Sequence, residues 1–383
     1  MASTDITGWF DAHDCQLDDL IALTRHPVTV EMYRHAATIE SGVVVYDSTA
    51  LSVAAADPEG RRAVMAELAE VLMNGPGVAV FRQAFAPEVV TVVTDVFNDI
   101  ISHERASGIG GGDHFARPGD NDRVWNALEK LALRNPRAFV SYYDNDVMAL
   151  AAHAWLGPNY QVTSQVNVVN PGGVQQSPHR DYHLGFMTDD LAAQFPAHVH
   201  RFSPMLTLQG AVAHCDMPVE SGPTMYLPHS QKYAPGYVAW RRPEFKRYFE
   251  QAHVQLPLQV GDAVFFNPAL FHGAGTNRTT GIHRIANLLQ ISSALGRAME
   301  AVDRRAIIVA LFPVLLEEIE AGLDSRAVGR ILAASAEGYA FPGDLDRDTP
   351  EGESSDHSDV DITVRALAEH WSVGAFADRL ARG

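Results

Sequence analysis

Two side chains near the middle of the chain could begin a metal site. His179 and Asp181 stand two residues apart in the segment QQSPHRDYHLGF. Because side chains at i and i+2 of a strand point to the same face, this spacing presents an imidazole and a carboxylate side by side. Alone, the H-x-D tripeptide is a weak signal. A further histidine would complete the facial triad of non-haem Fe(II) oxygenases, which leaves coordination positions open for a cosubstrate and oxygen.

A third ligand and a carboxylate-binding cation occur later in the chain. His272 follows a predicted strand in GDAVFFNPALFHGAGTNR, and Arg284 begins the next predicted strand, RIANLLQIS. A guanidinium can hold the distal carboxylate of a dicarboxylic cosubstrate as a bidentate pair, which lysine cannot match. Taken singly, each residue is better explained as a surface histidine or a solvated arginine. Arg278 is a competing carboxylate clamp, although it lies in a predicted bend.

The order of these motifs resembles the phytanoyl-CoA dioxygenase family of 2-oxoglutarate-dependent oxygenases. H-x-D comes first, SGPTMYLPHS follows, and GDAVFFNPALFHGAGTNR precedes an arginine. The resemblance covers roughly residues 77–292. It implies a double-stranded β-helix, also called a jelly-roll or cupin-like core, in which Fe(II) is bound by His179, Asp181 and His272 and 2-oxoglutarate by Arg284. The triad would be both the metal site and the catalytic centre.

The sequence departs from the family pattern after the distal histidine. Members often carry a serine two residues beyond it, where this chain has Ala274, and the arginine here comes one position later, because His283 takes its place. A one-residue insertion restores the arginine. Thr276 or Thr280 then becomes the candidate hydroxyl partner of the cosubstrate carboxylate.

Further candidates for cosubstrate and substrate contact are polar residues near these motifs. The amides could contact 2-oxoglutarate, or equally cap strand ends and satisfy buried backbone groups; they are Gln165, Asn167, Asn170 and Gln176. Candidate substrate contacts are His183, Thr224 and His114. The other histidines in the β-rich region lack a neighbouring carboxylate at ligand spacing and are interpreted as structural: His198, His200, His214, His229 and His283.

Composition excludes several classes of partner. The chain has 383 residues and a formal net charge of −18, which disfavours nucleic acid and anionic membranes. Cys15 and Cys215 are too few for a disulfide framework or a cysteine metal site. No apolar run reaches the length of a membrane span, and the N-terminus lacks a secretory pattern, so we expect a cytoplasmic enzyme. Its expected partner is a small-molecule substrate.

The elements that must position these residues divide the chain into three predicted parts. Residues 1–57 form an N-terminal extension. Residues 58–295 form the oxygenase domain, in which helix–strand–helix patterns precede a β-rich block and a Gly- and Asp-rich stretch, 106–124, is a candidate lid. Residues 296–383 form a helical extension that contains an acidic mobile tract, 344–359, and could build a homodimer interface. The predicted fold class is α+β, with flanking and C-terminal helices around the jelly roll.

The resulting functional prediction is an Fe(II)- and 2-oxoglutarate-dependent dioxygenase. It would use O2 to hydroxylate or otherwise oxidise a small organic molecule and release succinate and CO2. Asp181 argues against halogenation, because related halogenases replace this carboxylate with a small residue. The alternatives are a metal- or ligand-binding jelly-roll sensor and a non-oxidative cupin-type enzyme. Neither alternative needs an arginine beside an open triad.

Overall fold

The fold is built on one large, mostly antiparallel sheet. We describe a computed structural model at residues 8–108, 119–339 and 358–381. The strands lie in the order β1-β2-β3-β8-β6-β10-β5-β4, and only the β2–β3 pairing is parallel. Their bounds are β1 Thr38–Glu40, β2 Val43–Asp47, β3 Val78–Arg82, β4 Asn121–Val124, β5 Gln161–Val169, β6 Thr207–Ala213, β7 Met225–Leu227, β8 Ala263–Phe266, β9 Phe271–Gly273 and β10 Arg284–Ser292.

A second, smaller sheet closes the jelly roll. Strands β7 and β9 pair with each other, and single bridges extend them on both sides: His179 pairs with His272, and Tyr226 with Val254. Side chains from this sheet and from β6 and β8 of the large sheet share one apolar cluster, against which Ala286 of β10 packs. The predicted double-stranded β-helix is therefore confirmed. The two sheets enclose the space in which the triad lies.

Helices cover the outer face of the large sheet and the two ends of the molecule. Helix α12 packs against α5 and α6, and α13 packs against β5. No helix within the described ranges has both the length and the apolarity needed to cross a membrane. The helices are α1 Leu17–Thr24, α2 Ser48–Ala54, α3 Pro58–Met73, α4 Pro87–Ala106, α5 Ala127–Arg134, α6 Pro136–Tyr143, α7 Asp146–Leu156, α8 Asp189–Ala192, α9 Ala197–Phe202, α10 Gly236–Ala239, α11 Pro243–Ala252, α12 Arg304–Glu320, α13 Ser325–Ser335, α14 Asp359–Ala368 and α15 Val373–Leu380.

Local sequence signals explain where several elements begin and end. Asp57 caps α3 by accepting hydrogen bonds from two backbone N–H groups, and Pro58 occupies the first turn, where its missing donor costs nothing. One helix was predicted over 137–156, but α6 and α7 are separate because Asn145 caps a second start. The predicted last helix is likewise divided into α14 and α15, with Ser372 as the second cap.

The predicted extensions are integrated with the core. β1 and β2, from the predicted N-terminal part, extend the large sheet beside β3. β4 falls inside the candidate lid and pairs with β5. Lid residues 109–118 and most of the acidic tract lie outside the described residues. The lid, the mobile tract and the domain boundaries stay predictions.

Alternation along the central strands separates two environments. On β10, Ile285, Leu289 and Ile291 face the helices and join the main apolar core. Residues of opposite parity face the small sheet, among them Arg284 and Gln290. One face is packed by the helices, whereas the other provides a polar interior.

Candidate metal centre

Three side chains meet between the two sheets. His179, Asp181 and His272 each place a ligating atom within 4.8 Å of the others. Asp181 Oδ1 lies 3.8 Å from His179 Nε2, and Oδ2 lies 3.5 Å from His272 Nε2. Two imidazoles and one carboxylate, with the remaining directions open, fit the facial donor set that Fe(II) oxygenases use. The three residues predicted from the sequence are thus brought together.

Backbone pairing places the two histidines opposite each other. His179 N donates to His272 O at 2.9 Å, and His272 N donates to His179 O at 3.1 Å. The His179 segment forms this single bridge rather than the continuous strand that was predicted. The i, i+2 relation to Asp181 still holds, because Asp181 N donates to Pro268 O on the same partner segment.

Each histidine ring has its proton fixed on the nitrogen that points away from the centre. Nδ1 lies 2.9 Å from the carbonyl oxygen two residues earlier: Ser177 O for His179 and Leu270 O for His272. A carbonyl accepts only, so Nδ1 carries the proton and the lone pair is on Nε2. Burial lowers the pKa of His179, so its ring is neutral at pH 7. Each ring thus directs Nε2, the atom that can bind a metal, towards Asp181.

Asp181 is held as a carboxylate. Burial by itself would raise its pKa, but the His179 and His272 rings and the Gln209 amide outweigh burial, and the pKa lies well below its usual range. Gln209 Nε2 donates to Asp181 Oδ2 at 2.6 Å. Gln209 lies on β6, more than twenty positions from the aspartate, and the sequence contained no local signal for this contact.

The residue between the two ligands fixes the segment to the protein. The Arg180 guanidinium donates to Ser230 O at 2.6 Å and Tyr233 O at 2.8 Å, and lies over the rings of Tyr237 and Phe271. A Cβ at Gly236 would come within 1.9 Å of Arg180 Cζ, so only glycine leaves room for the guanidinium. Arg180 therefore holds in place the segment that carries His179 and Asp181.

Arg284 is buried on the inner face without a protein partner. The residue is 5% exposed, its Nη1 is buried without a hydrogen bond, and no carboxylate of the described residues lies within ion-pair distance. Burial lowers its pKa to about 10, which still leaves it charged at neutral pH. A buried cation without a counter-ion is costly. This environment fits an anionic ligand such as the distal carboxylate of 2-oxoglutarate.

Two hydroxyl side chains lie near this cation. Tyr226 is opposite His272 in the β7–β9 register, so both side chains point inward. Burial raises the pKa of the Tyr226 phenol, whereas the Thr224 hydroxyl and the Arg284 charge act in the opposite direction. Thr224 was predicted to contact substrate, but Tyr226 was missed. Only the strand register could have placed it beside an arginine so distant in sequence.

The predicted cosubstrate contacts, four amides and Thr276, fall into two groups. On β5, Gln165 Oε1 accepts from Arg123, and Asn167 lies opposite Ala286 with its Oδ1 buried and unpaired. The others bind neighbouring loops: Asn170 Nδ2 donates to Gly119 O, Gln176 Oε1 accepts from Ala274 N, and Thr276 Oγ1 accepts from Gln175 N. The roles of all five in cosubstrate binding stay predictions.

The remaining histidines do not join the triad within the described part of the chain. His183 N donates to Ser203 Oγ at 2.6 Å, and burial lowers the pKa of the His183 ring. His214 lies on the helix side of the large sheet, between Thr94 and Tyr142. His114, a predicted substrate contact, lies outside the described residues.

A wide groove on the described surface lies elsewhere. It has a volume of about 700 Å3 and is lined by residues of α2, α6, α7 and the turn before α4. Its carboxylates, Asp144 and Asp146, already pair with Arg330 and Arg61. The donor geometry between the sheets, rather than this groove, identifies the candidate site.

Comparisons with known proteins agree with the geometry. The family described as phytanoyl-CoA dioxygenase (PhyH) matches residues 73–286. No curated protein matches significantly.

Three solved structures are among those similar to this chain. SnoK, a non-heme alpha-ketoglutarate-dependent carbocyclase from nogalamycin biosynthesis, is 18% identical with a TM-score of 0.43 over 60% of this chain and 83% of SnoK. The epimerase SnoN of the same pathway is 21% identical with a TM-score of 0.39 over 62% and 84%. AviO1 from Streptomyces viridochromogenes Tue57 is 17% identical with a TM-score of 0.43 over 60% and 96%. These distant likenesses carry no information about the reaction of this chain.

The family match spans more than half of the chain and includes the triad and Arg284. The chain belongs to the phytanoyl-CoA dioxygenase family.

Proposed function

We propose that this protein is an Fe(II)- and 2-oxoglutarate-dependent oxygenase that oxidises a small organic substrate, with hydroxylation as the simplest outcome. The observation that carries the proposal is the pairing of an open His-Asp-His cluster with a buried, unpartnered arginine in one interior. When bound, Fe(II) and 2-oxoglutarate supply O2-dependent oxidation with release of succinate and CO2. Each residue has a separate task in this chemistry.

The triad would hold the metal. His179 and His272 present their Nε2 atoms, and the Asp181 carboxylate adds one negative charge. Gln209 donates to Asp181 Oδ2, which leaves Oδ1 as the better oriented ligand. Arg180 keeps the ligand segment in register with β9. Asp181 also occupies the position that a halide would need, so oxygen insertion is favoured over halogen transfer.

Arg284 would orient the cosubstrate. Its charge, together with the hydroxyl groups of Tyr226 and Thr224, would bind the distal carboxylate of 2-oxoglutarate. Asn167 lies opposite Ala286, the next inward-facing residue after Arg284 on β10, and its amide could contact the same molecule. The apolar wall around Phe266 and Val264 would exclude water.

A jelly-roll sensor or a non-oxidative cupin-type enzyme explains fewer of these features. Neither needs a buried cation facing the metal ligands, and cupin-type sites more often use three histidines than two histidines and an aspartate. Asp181 favours oxygen insertion over halogenation only, and the choice of hydroxylation among the other oxidations rests on the chemistry common to the family.

The test is succinate formation by the purified protein. The protein is reconstituted anaerobically with Fe(II), 2-oxoglutarate is added, and oxygen is then admitted. We expect oxygen-dependent succinate in the wild type and none in His272→Ala, whose folding is checked by circular dichroism. Metal binding without any 2-oxoglutarate turnover, across a broad set of metabolites, would contradict the proposal.

A further inference from the structure

The inner face of the large sheet carries a hydrogen-bond acceptor that has no donor. Gln209 Nε2 donates to the Asp181 carboxylate, which can only accept, so the orientation of this amide is fixed. Its other atom, Oε1, is buried and accepts no hydrogen bond. Gln209 thus presents an open carbonyl oxygen beside the metal ligands.

A second open acceptor comes from the segment that follows β10. Glu300 Oε1 accepts from Asn126 N at 2.8 Å, whereas Oε2 is buried and accepts no hydrogen bond of normal geometry, since the nearby Gln165 amide donates to Met299 Sδ instead. Burial raises the pKa of this carboxyl group. An unpaired buried carboxylate oxygen is costly unless a ligand supplies a donor.

Contacts of the preceding residue place Glu300 near the metal centre. Met299 Sδ accepts from Gln165 Nε2 at 3.3 Å and from the hydroxyl of Tyr182. Gln165 lies on the inner face of β5, and Tyr182 directly follows Asp181. The Glu300 segment therefore forms the wall of the interior on the Asp181 side.

The cosubstrate cannot satisfy either oxygen. 2-Oxoglutarate at neutral pH is a dianion whose oxygens all accept hydrogen bonds. It matches the donors of Arg284, but it has no proton to donate to Gln209 Oε1 or Glu300 Oε2. The missing donors must come from water or from the molecule that is oxidised.

We propose that Glu300 and Gln209 bind the primary substrate, and that this substrate is an uncharged molecule whose hydroxyl groups donate to their open oxygens. The inference rests on the proposed function and specifies its substrate class. Arg123 and Lys130 both lie near enough to act on the Glu300 charge, and Lys130 is itself paired with Glu104. Arg123 therefore balances Glu300, and the wall is close to neutral. This balance favours a neutral hydroxyl over an ammonium group. It also provides no excess positive charge for the phosphates of a coenzyme A thioester.

The chain offers an isosteric variant and a matched control. Glu300→Gln keeps an oxygen for Asn126 N and replaces the open acceptor with an N–H donor. Glu129→Gln is the control, because Glu129 also holds this region in place. Its Oε2 accepts from Asn126 Nδ2 at 2.8 Å and from Asp303 N at 2.9 Å, and neither of its oxygens is buried and unpaired. A shift in both variants would indicate a general loosening of the segment.

The probes are a panel of cyclic diols and methyl glycosides, the O-methyl ether of each, and medium-chain acyl-coenzyme A thioesters. Succinate formation is measured with the Fe(II)-loaded full chain, with and without each probe. The basal rate without a probe reports the proposed function alone. If the wild type forms no succinate either alone or with any probe, the proposed function is overturned, and this inference with it.

Stimulation above the basal rate tests the substrate class. We expect hydroxylated probes to stimulate the wild type and their ethers to stimulate much less. In Glu300→Gln, the KM of a stimulating probe should rise about 10- to 100-fold, the range for loss of a hydrogen bond to a charged group. Glu129→Gln should retain the wild-type KM.

Three results would overturn the proposal while the basal rate is intact. The first is that no hydroxylated probe stimulates turnover. The second is that the ethers or the thioesters stimulate as well as the hydroxylated probes. The third is an unchanged probe KM in Glu300→Gln, which would mean that water occupies the open acceptor.

Discussion

Two buried arginines, one on each side of the interior, differ in what surrounds them. Arg180 is 2% exposed and Arg284 5%, and neither pairs with a carboxylate among the described residues. Arg180 donates to two backbone carbonyls and lies over two aromatic rings. The Arg284 side chain donates to no group among the described residues and leaves Nη1 unpaired. The difference separates a cation that stabilises the fold from one that is available to a ligand.

The comparison explains why burial alone does not identify a functional residue. Burial lowers the pKa of both guanidinium groups to about 10, so both remain charged at pH 7. They differ in how far the protein completes their hydrogen bonds: Arg180 has two backbone acceptors and leaves Nε unpaired, whereas the Arg284 side chain has no acceptor among the described residues. The open donor of Arg284 and the open acceptors of Gln209 and Glu300 together outline the site.

The largest expected effect is on the stability provided by Arg180. Arg180→Met leaves the carbonyls of Ser230 and Tyr233 without donors and opens space beside Gly236. We expect the free energy of unfolding to fall by about 3–5 kcal/mol. Urea denaturation measures it, with the exposed Arg201→Met as control. An unchanged urea midpoint would show that Arg180 does not stabilise the fold.

Arg284→Met should behave in the opposite way. Removing a buried, unpaired charge should leave the free energy of unfolding unchanged or higher. The KM for 2-oxoglutarate should rise about 100-fold or more, because a desolvated charge pair with its carboxylate is lost. Denaturation and steady-state succinate assays on the same preparation separate the two effects. A loss of stability with an unchanged KM would make Arg284 a second structural arginine.

A smaller effect is expected at Gln209, which contacts the metal ligand rather than the metal. Gln209→Leu should weaken Mn(II) binding about 10- to 100-fold, the usual cost of losing a residue that orients a ligand. Equilibrium dialysis measures this affinity. Gln290→Leu is the matched control, since Gln290 faces Gln209 across the β10–β6 register without a hydrogen bond to Asp181. Equal losses in both variants would argue against a specific role for Gln209.

The effect that is smallest at neutral pH concerns a buried polar residue whose partners, like those of Arg180, are internal. His214 lies between the Thr94 and Tyr142 hydroxyls, and burial lowers its pKa from 6.5 to about 3. Below pH 6.5 the His214 ring binds a proton in the unfolded chain but stays neutral in the folded chain. Stability should therefore fall as pH drops from about 6.5 towards 3, by at most about 1.4 kcal/mol per pH unit.

The His214→Gln variant isolates this contribution. Urea denaturation at several pH values should give a shallower pH dependence for the variant than for the wild type, whatever its stability at pH 7. Parallel profiles would mean that His214 takes up a proton while folded.

Residues that act within one segment could be predicted from the sequence. His179 and Asp181 are two positions apart, and Arg284 begins a strand soon after His272, so strand periodicity and motif order sufficed to nominate them. The double-stranded β-helix followed from the same motifs. Short alternating segments predicted most of the central strands as well.

Residues joined by long-range register could not be predicted. Gln209 meets Asp181, and Tyr226 lies opposite His272, only because of how the strands of the two sheets are aligned. Glu300 follows the β-rich block and reaches the site through its neighbour Met299. Sequence spacing contains no information on such alignments. The separation of α6 from α7 was missed for a simpler reason, since the Asn145 cap was read as helix interior.

The central claim is that Arg284 holds the distal carboxylate of 2-oxoglutarate beside the metal. Binding of 2-oxoglutarate and of 2-oxovalerate, which lacks that carboxylate, can be measured by calorimetry with the Mn(II)-loaded wild type and Arg284→Met. We predict that the wild type binds 2-oxoglutarate about 100-fold more tightly than 2-oxovalerate, and that the variant binds both equally weakly. Undiminished binding of 2-oxoglutarate by the variant would contradict the account.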